Sequence, residues 1–437
     1  MSHRRRSNSA IQQLEDVAVH GWYRFVLSYP DHLVSQMINE FGIRREHTVL
    51  DPFVGTGTTL VECKKSGISS VGIDANPVSA FASRVKTTWD IDLAEFDRRR
   101  HQLLESIREP IRSIGAQYSY QLSFDDLLLP GMILCDRSVD DDESLRLLFP
   151  KNWLSEVPFR KTLIIKRAID ALPDDAITDV FRLALAAVVV TDVSNVGFGP
   201  EVYVARKRED ADAYRAYAEK LRRVRHDLAK VQQIPNAGMT AVYCGDARRL
   251  TTLIEGPIDY VITSPPYPNE KDYTRITRLE LILLGFIGEK GDLRRVKKEM
   301  LRSHTRNVYV ADDDSVYVAD IPEIQEVAQE VERRRVERGA TSGFERLYHR
   351  VVTEYFGGMC RVLEQLQQVM SPGGKLALVV GDQMSYFRVP IRTARLLSLV
   401  ACRKLHYAEV ETIVWRTRRA TATNMDIEEH ILILERQ

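Results

Sequence analysis

The sequence predicts a doubly wound α/β fold: a mostly parallel sheet covered by helices on both faces and interrupted by helical insertions. Three observations carry the prediction. Short, continuously apolar segments recur along the chain, as expected of strands buried on both faces. Several of them neighbour segments of helical periodicity, the alternation that makes a parallel sheet. Several also end in aspartate, or run into a Gly- or Pro-rich loop, and in open α/β sheets ligands sit beyond the carboxyl ends of the strands.

The strand segments are residues 48–51, 70–74, 241–246, 258–263 and 375–381. Two more, 407–415 and 430–434, follow one another closely and are read as an antiparallel pair. Helical pattern covers 58–65 and 344–370. Residues 91–240 break the alternation and read as mostly helical, with heptad-like apolar spacing at 214–231, and residues 286–343 are charged and irregular. The expected division is therefore a basic flexible tail (1–20) and one α/β domain in three pieces (21–90, 241–285 and 344–437). Two insertions (91–240 and 286–343) separate the pieces, and either could contact a partner.

Composition excludes several classes. Gly (23) and Pro (17) are too few in 437 residues for a collagenous or low-complexity chain. The longest apolar run, 183–190, is far short of the roughly 20 residues needed to cross a bilayer, so no membrane partner is expected. Five cysteines without a C-x-x-C pair argue against a disulfide framework and point to a reducing cytoplasm. Lys+Arg and Asp+Glu are both 61, so a nucleic-acid partner would have to meet a local basic surface.

Two loops carry the chemistry. Residues 51–59 read Asp-Pro-Phe-Val-Gly-Thr-Gly-Thr-Thr, a strand end, two glycines and a helix start. Such a loop lets backbone amides approach an anionic or zwitterionic ligand. No G-K-[ST] follows, which excludes a P-loop, and the third glycine of a nicotinamide site is missing. Asp74 ends the next strand, where a carboxylate can accept both hydroxyls of a ribose, or simply cap a helix. Asp246 can accept from an exocyclic amine such as adenine N6, or serve as a turn residue.

The second loop is Ser264-Pro265-Pro266-Tyr267, directly after an apolar strand. By average residue frequencies a chance match in a chain this long has a probability on the order of 0.002. The chemistry gives it a purpose. An exocyclic amine on a nucleobase is a poor nucleophile because its lone pair is delocalised into the ring. Two acceptors aimed at its hydrogens favour loss of that conjugation and stabilise the developing charge. The Ser264 hydroxyl can be one, a carbonyl held rigid by Pro265-Pro266 the other, and Tyr267 can stack on the base.

Together these residues resemble the amino-methylating DNA methyltransferases, which modify cytosine N4 or adenine N6. The loop 51–59 looks like the family's cofactor loop, and Ser264 to Tyr267 like its catalytic loop. The resemblance covers roughly 20–90, 241–285 and 350–437. It implies a seven-stranded, Rossmann-like methyltransferase fold with a terminal antiparallel pair, S-adenosylmethionine as cofactor, and flipping of the target base out of duplex DNA. It also implies cofactor contacts at Asp51, Phe53, Gly55, Thr56, Gly57, Thr58 and Thr59, at Asp74 for the ribose and at Asp246 for the adenine. Residues 23–30, including Tyr29, are similar to the segment that packs over the methionine end. Thr263-Ser264-Pro265-Pro266-Tyr267 resembles the cytosine-N4 branch more than the adenine branch, which usually begins with Asp. The sequence departs from the family in its long insertion ahead of Asp246, and in Thr56 where serine is more usual.

For DNA contact the expected residues are Arg294, Arg295, Lys297, Lys298, Arg302 and Arg306, a basic run just after the catalytic loop, or else a solvated face. Arg416, Arg418 and Arg419 form a second cluster, expected on a loop, and Asp312 to Asp314 are expected to point away from DNA. Asn269, Asp272 and Tyr273 are placed near the base pocket, with helix capping the alternative for Asp272. The leading expectation is a site-specific cytosine-N4 DNA methyltransferase, with any restriction or defence subunit on another chain. Competing expectations are adenine-N6 methylation, RNA amino-methylation, and a non-catalytic DNA-binding subunit.

Overall fold

The computed structural model describes residues 18–25, 28–117, 139–199, 202–268, 271–384, 386–419 and 426–437. Most of the expected basic tail and Asn269 lie outside the described residues. The end of that tail does not: Val19 and His20 are buried, and His20 Nε2 meets Glu62 Oε1 at 2.8 Å. The packed structure thus begins before residue 21.

Nine strands and fourteen α-helices are described. The strands are β1 (Thr48–Asp51), β2 (Ser69–Asp74), β3 (Val196–Phe198), β4 (Val202–Val204), β5 (Thr240–Cys244), β6 (Ile258–Thr263), β7 (Met370–Gly381), β8 (Tyr407–Arg419) and β9 (Asp426–Arg436). The helices up to the middle of the chain are α1 (Asp31–Glu40), α2 (Thr58–Lys65), α3 (Pro77–Thr87), α4 (Leu93–Gln117), α5 (Val139–Leu148), α6 (Glu156–Asp170), α7 (Ala176–Val188) and α8 (Ala213–Val231). After them come α9 (Tyr273–Ile276), α10 (Arg278–Leu283), α11 (Lys290–Glu299), α12 (Pro322–Glu337), α13 (Tyr348–Val369) and α14 (Thr393–Lys404).

Seven strands form one sheet in the order β5-β2-β1-β6-β7-β9-β8. The first five are parallel, and β9 runs antiparallel between β7 and β8. All seven are the segments expected from sequence, and the last two pair antiparallel as expected. The winding reverses between β1 and β6, the switch point where a crevice opens beyond the strand ends.

The apolar runs are continuous because both faces are covered. Leu50, Leu376, Leu378, Val380, Leu432 and Leu434 face a core shared with α13 and α14. Their neighbours Val49, Ala377, Val379, Ile431 and Ile433 face α1 and Cys63 of α2. Along β1, β7 and β9 the sides alternate with period two and both are buried, whereas the edge strand β8 and the end of β5 are largely exposed.

The stretch between β2 and β5 packs α4, α6, α7 and α8 against α3 and around the hairpin β3–β4. In α8 the buried positions Tyr217, Leu221, Val224, Leu228 and Val231 follow the heptad-like spacing seen in sequence. The apolar run 183–190 lies in and just after α7, inside this bundle, and no described helix is long and apolar enough to cross a membrane. Residues 286–343 are more regular than expected. They contain α11 and the 16-residue α12, whose Arg333 pairs with Glu330 on an exposed face.

Candidate active site

The loop after β1 is shaped by two left-handed glycines, Gly55 (φ +51°) and Gly57 (φ +84°). Gly57 caps α2, and a Cβ there would lie 2.9 Å from Ser83 Oγ. Serine and lysine from α3 tie the loop down: Ser83 Oγ donates to the Gly55 carbonyl (2.8 Å) and the buried Lys86 Nζ to the Thr56 carbonyl (2.7 Å). Burial, with the positive charges of Lys65 and Arg24 nearby, draws the Lys86 ammonium down to about 7.

Asp51 is fully buried beneath this loop rather than on its surface. Its carboxylate accepts from Thr59 Oγ1 (2.7 Å), Thr263 Oγ1 (2.6 Å), the Phe53 amide (3.1 Å) and the Tyr29 hydroxyl (3.2 Å). Desolvation raises its pKa although four donors oppose the shift. The residue thus ties together the ends of β1 and β6, the start of α2 and the Tyr29 segment. Gly57 and Thr59 lie beneath with it. Tyr29, Phe53, Gly55, Thr56 and Thr58 line the cleft above, whose volume is about 400 Å³, the scale of a cofactor site.

The two remaining acids differ. Asp74 faces the cleft and accepts one amide per oxygen, Gly55 N on Oδ2 (2.9 Å) and Asn76 N on Oδ1 (2.7 Å). Each oxygen keeps a lone pair for a ligand donor. Burial pushes its pKa up to about 7 against the pull of those amides. Asp246 also lines the cleft, but Arg248 engages both its oxygens, Oδ1 through N and Nε (2.9 and 3.0 Å) and Oδ2 through Nε and Nη2 (3.1 and 2.8 Å). A ligand amine would compete with Arg248 for Asp246, a partner not apparent from the sequence.

Ser264, Pro265, Pro266 and Tyr267 line the opposite wall of the same cleft. Ser264 Oγ donates to the Val379 carbonyl of β7 at 3.0 Å. The Tyr267 ring rests against Gly381, where a Cβ would come within 3.0 Å of its Cε2. Burial, with Glu429 nearby, pushes its phenol up to about 12. Asp272 takes the capping role: it accepts from the Thr274 and Arg275 amides and pairs with Lys297 (2.6 Å). Tyr273 does reach the cleft and stacks on Phe25 at 6.3 Å.

The six cations proposed for DNA contact divide. Arg294, Arg295, Lys298 and Arg306 are exposed. Lys297 and Arg302 are buried in internal pairs, Lys297 with Asp272 and Arg302 with Asp312 (2.8 Å), and Arg302 also donates to the carbonyls of Lys297, Lys298 and Met300. Neither can reach a phosphate without breaking an ion pair, and the exposed Arg295 also pairs with Asp292, so the run overstated the free cations. For the same reason Asp312 and Asp314 are not outward acids. Asp314 is buried between Arg248 and Arg361, both at 2.6 Å. Arg416, Arg418 and Arg419 sit within β8 rather than on a loop, because the last two strands extend well past their apolar stretches.

Sequence reasoning missed Arg248, Glu299, Val379 and Glu429, all in the cleft wall. Glu429 carried a faint signal, an acid leading into the apolar run of β9. Its two partners are visible only in the folded sheet.

A family model described as a DNA methylase matches residues 3–80. Over its length the chain is similar to proteins named Type II methyltransferases. With M.BsoBI of Geobacillus stearothermophilus it is 28% identical over 407 residues, 86% of this chain and 76% of that protein. With M.AvaI of Anabaena variabilis it is 23% identical over 398 residues, 87% and 77% of the two chains. With M.MvaI of Kocuria varians it is 26% identical over 307 residues, 65% and 63%.

Proposed function

Because this chain is a member of the amino-methylating DNA methyltransferase family, we propose that it methylates the exocyclic N4 of cytosines flipped out of duplex DNA, with S-adenosylmethionine as the donor. The observation that carries the reading is the bond from the Ser264 hydroxyl to the Val379 carbonyl. With its proton there, the oxygen has lone pairs left for the neighbouring Tyr267 hydroxyl and for the cleft. It is a neutral acceptor, suited to an amine that must give up conjugation but carries no full charge at the start.

The opposite wall fits the donor. Asp74 keeps one lone pair on each oxygen for a vicinal diol, and Tyr29 and Phe53 flank the glycine loop. When bound, S-adenosylmethionine supplies a methyl group on a positively charged sulfur. Ser264 Oγ and a carbonyl of the Pro265-Pro266 pair hold the two amine hydrogens, so that the nitrogen lone pair turns out of the ring plane. Tyr267 stacks on the extruded base, which offsets part of the loss of base stacking. The surplus proton of the product leaves to solvent.

Exposed Arg294, Arg295, Lys298 and Arg306 provide phosphate contacts beside this wall. The names of the relatives support a modification role, protecting sites from a separate restriction enzyme.

The test is to incubate the protein with labelled S-adenosylmethionine and unmodified genomic DNA, digest to nucleosides and identify the methylated one by mass. N4-methylcytosine is the expected product, and sequencing the modified positions then gives the recognition site. N6-methyladenine would overturn the choice of cytosine. Label entering folded RNA but not DNA would move the substrate to RNA. Neither cofactor binding nor transfer would leave a non-catalytic DNA-binding subunit.

A further inference from the structure

We propose that Arg416, held by Glu429, reads the ring edge of the target base and selects one with two adjacent acceptors beside its amine. The inference rests on the reading of the target as cytosine.

The base-side wall is completed by strands from the far end of the chain. β8 carries an irregularity at Trp415: Val414 pairs with His430 and Arg416 with the next residue of β9, Glu429. Such a bulge re-aims side chains and is common beside active sites. Here Trp415, Arg416, Arg418 and Glu429 all reach the cleft that Ser264 and Tyr267 line. On its other side Glu429 pairs with Gly381 of β7. A Cβ on Gly381 would lie 3.0 Å from Tyr267 Cε2 and 3.3 Å from Glu429 Cγ, so the missing side chain brings the stacking ring and the carboxylate together.

Glu429 is only 4% exposed and meets two guanidinium groups. Its Oε2 accepts from Nε (3.0 Å) and Nη2 (2.6 Å) of Arg416, and its Oε1 lies 3.3 Å from Arg418 Nε. The Arg416 head also lies 5.0 Å from the centre of the Trp415 ring. These contacts fix the plane of the guanidinium and leave its far edge, one N–H of Nη1 beside the second N–H of Nη2, as a free donor fork. Two arginines around one carboxylate make this wall a donor surface.

Cytosine and adenine differ at just this edge. Beside its amine cytosine presents N3 and then O2, both acceptors. Adenine presents N1 and then a C–H. A guanidinium fork matches two neighbouring acceptors. Against adenine one N–H would face carbon and remain unpaired in a dried pocket. Arg416 would thus contact the base directly, and Glu429 acts through it as a positioning residue.

The test pairs changes in the protein with changes in the base. Duplexes carrying the site found by sequencing are made with cytosine or 3-deazacytosine, which replaces N3 by C–H, at the target position. For wild type the analogue should lower kcat/KM about ten- to a hundredfold. Arg416→Met should lower kcat/KM on cytosine by a similar factor, with a further analogue penalty of no more than about threefold. Glu429→Gln should reduce the analogue penalty while leaving cofactor affinity unchanged. Arg416→Lys keeps the charge without the planar fork and guards against a folding defect in Arg416→Met. It should fall between wild type and Arg416→Met. An undiminished penalty in the variants, or no penalty in wild type, would show the Arg–Glu cluster to be structural only. A product of N6-methyladenine would instead defeat the cytosine reading, and the nucleoside assay reports that separately.

Discussion

The two walls of the cleft are built by opposite means. The wall at β1 and β2 is local: residues of the single loop 52–58, held from beneath by Asp51, Gly57 and Thr59, plus Asp74, whose amide donors Gly55 and Asn76 are close in sequence. The wall at β6, β7, β9 and β8 is assembled over distance. Ser264 bonds to Val379, 115 residues away, Tyr267 leans on Gly381, and Arg416 meets Glu429 across the sheet. The first wall is a glycine loop fixed by two carboxylates, Asp51 below and Asp74 beside it, that accept from amides and hydroxyls, and the second is built around a neutral hydroxyl and paired arginines. A loop-built wall can be carried by one βαβ unit, whereas the wall around Ser264 needs the whole sheet to be closed.

The largest effect should come from Ser264→Ala, which on the proposed mechanism removes an acceptor for the reacting amine. Turnover should fall about a hundred- to a thousandfold in single-turnover assays. Cofactor affinity by calorimetry should stay within about twofold, because the other wall is untouched. Loss of both together would mean that the walls are not separable.

Beside the second wall, α11 and the loop after it offer a sharper contrast. Arg302→Met removes the cation paired with Asp312 and one donor from each of three carbonyls, of which Lys298 keeps Arg248 and Lys297 keeps the Met300 amide, and should destabilise the fold by about 3 kcal/mol in urea unfolding. Replacing the exposed Arg294, Arg295 and Lys298 by alanine should leave stability within about 0.5 kcal/mol. It should instead lower the slope of log DNA affinity against log salt by about 0.9 for each phosphate no longer neutralised. An unchanged slope would place the DNA elsewhere.

A smaller effect isolates the first wall. Asp74 must be ionised to accept two ribose hydroxyls, and its pKa lies at about 7 because it is buried. Between pH 6 and pH 8 its ionised fraction rises from about 0.09 to about 0.91, so cofactor should bind about tenfold more tightly at pH 8. Folding has the opposite sign. A pKa raised above the usual 3.8 favours the protonated native state, so this contribution is full below about pH 3.8 and is lost as pH rises through about 7. Cofactor affinity that is flat with pH in wild type would remove Asp74 from the site.

What the sequence determined by itself was periodic or contiguous. Strands such as β1, β6, β7 and β9 could be located because apolar runs buried on both faces need no partner to be recognised, and the more exposed β5 and β8 by their β-rich composition. The glycine loop and Ser264-Pro265-Pro266-Tyr267 could be located because each compresses its backbone requirements into a few adjacent residues. Only the tertiary structure decided which charges are available. Lys297, Arg302, Arg416 and Asp314 look alike in a sequence, as exposed charges in polar stretches. Yet the first two and Asp314 are buried in ion pairs, while Arg416 is turned by a bulge into the cleft. The physical reason is that a charge is neutralised by whatever lies within about 4 Å, and at these positions that partner comes from another element of the fold.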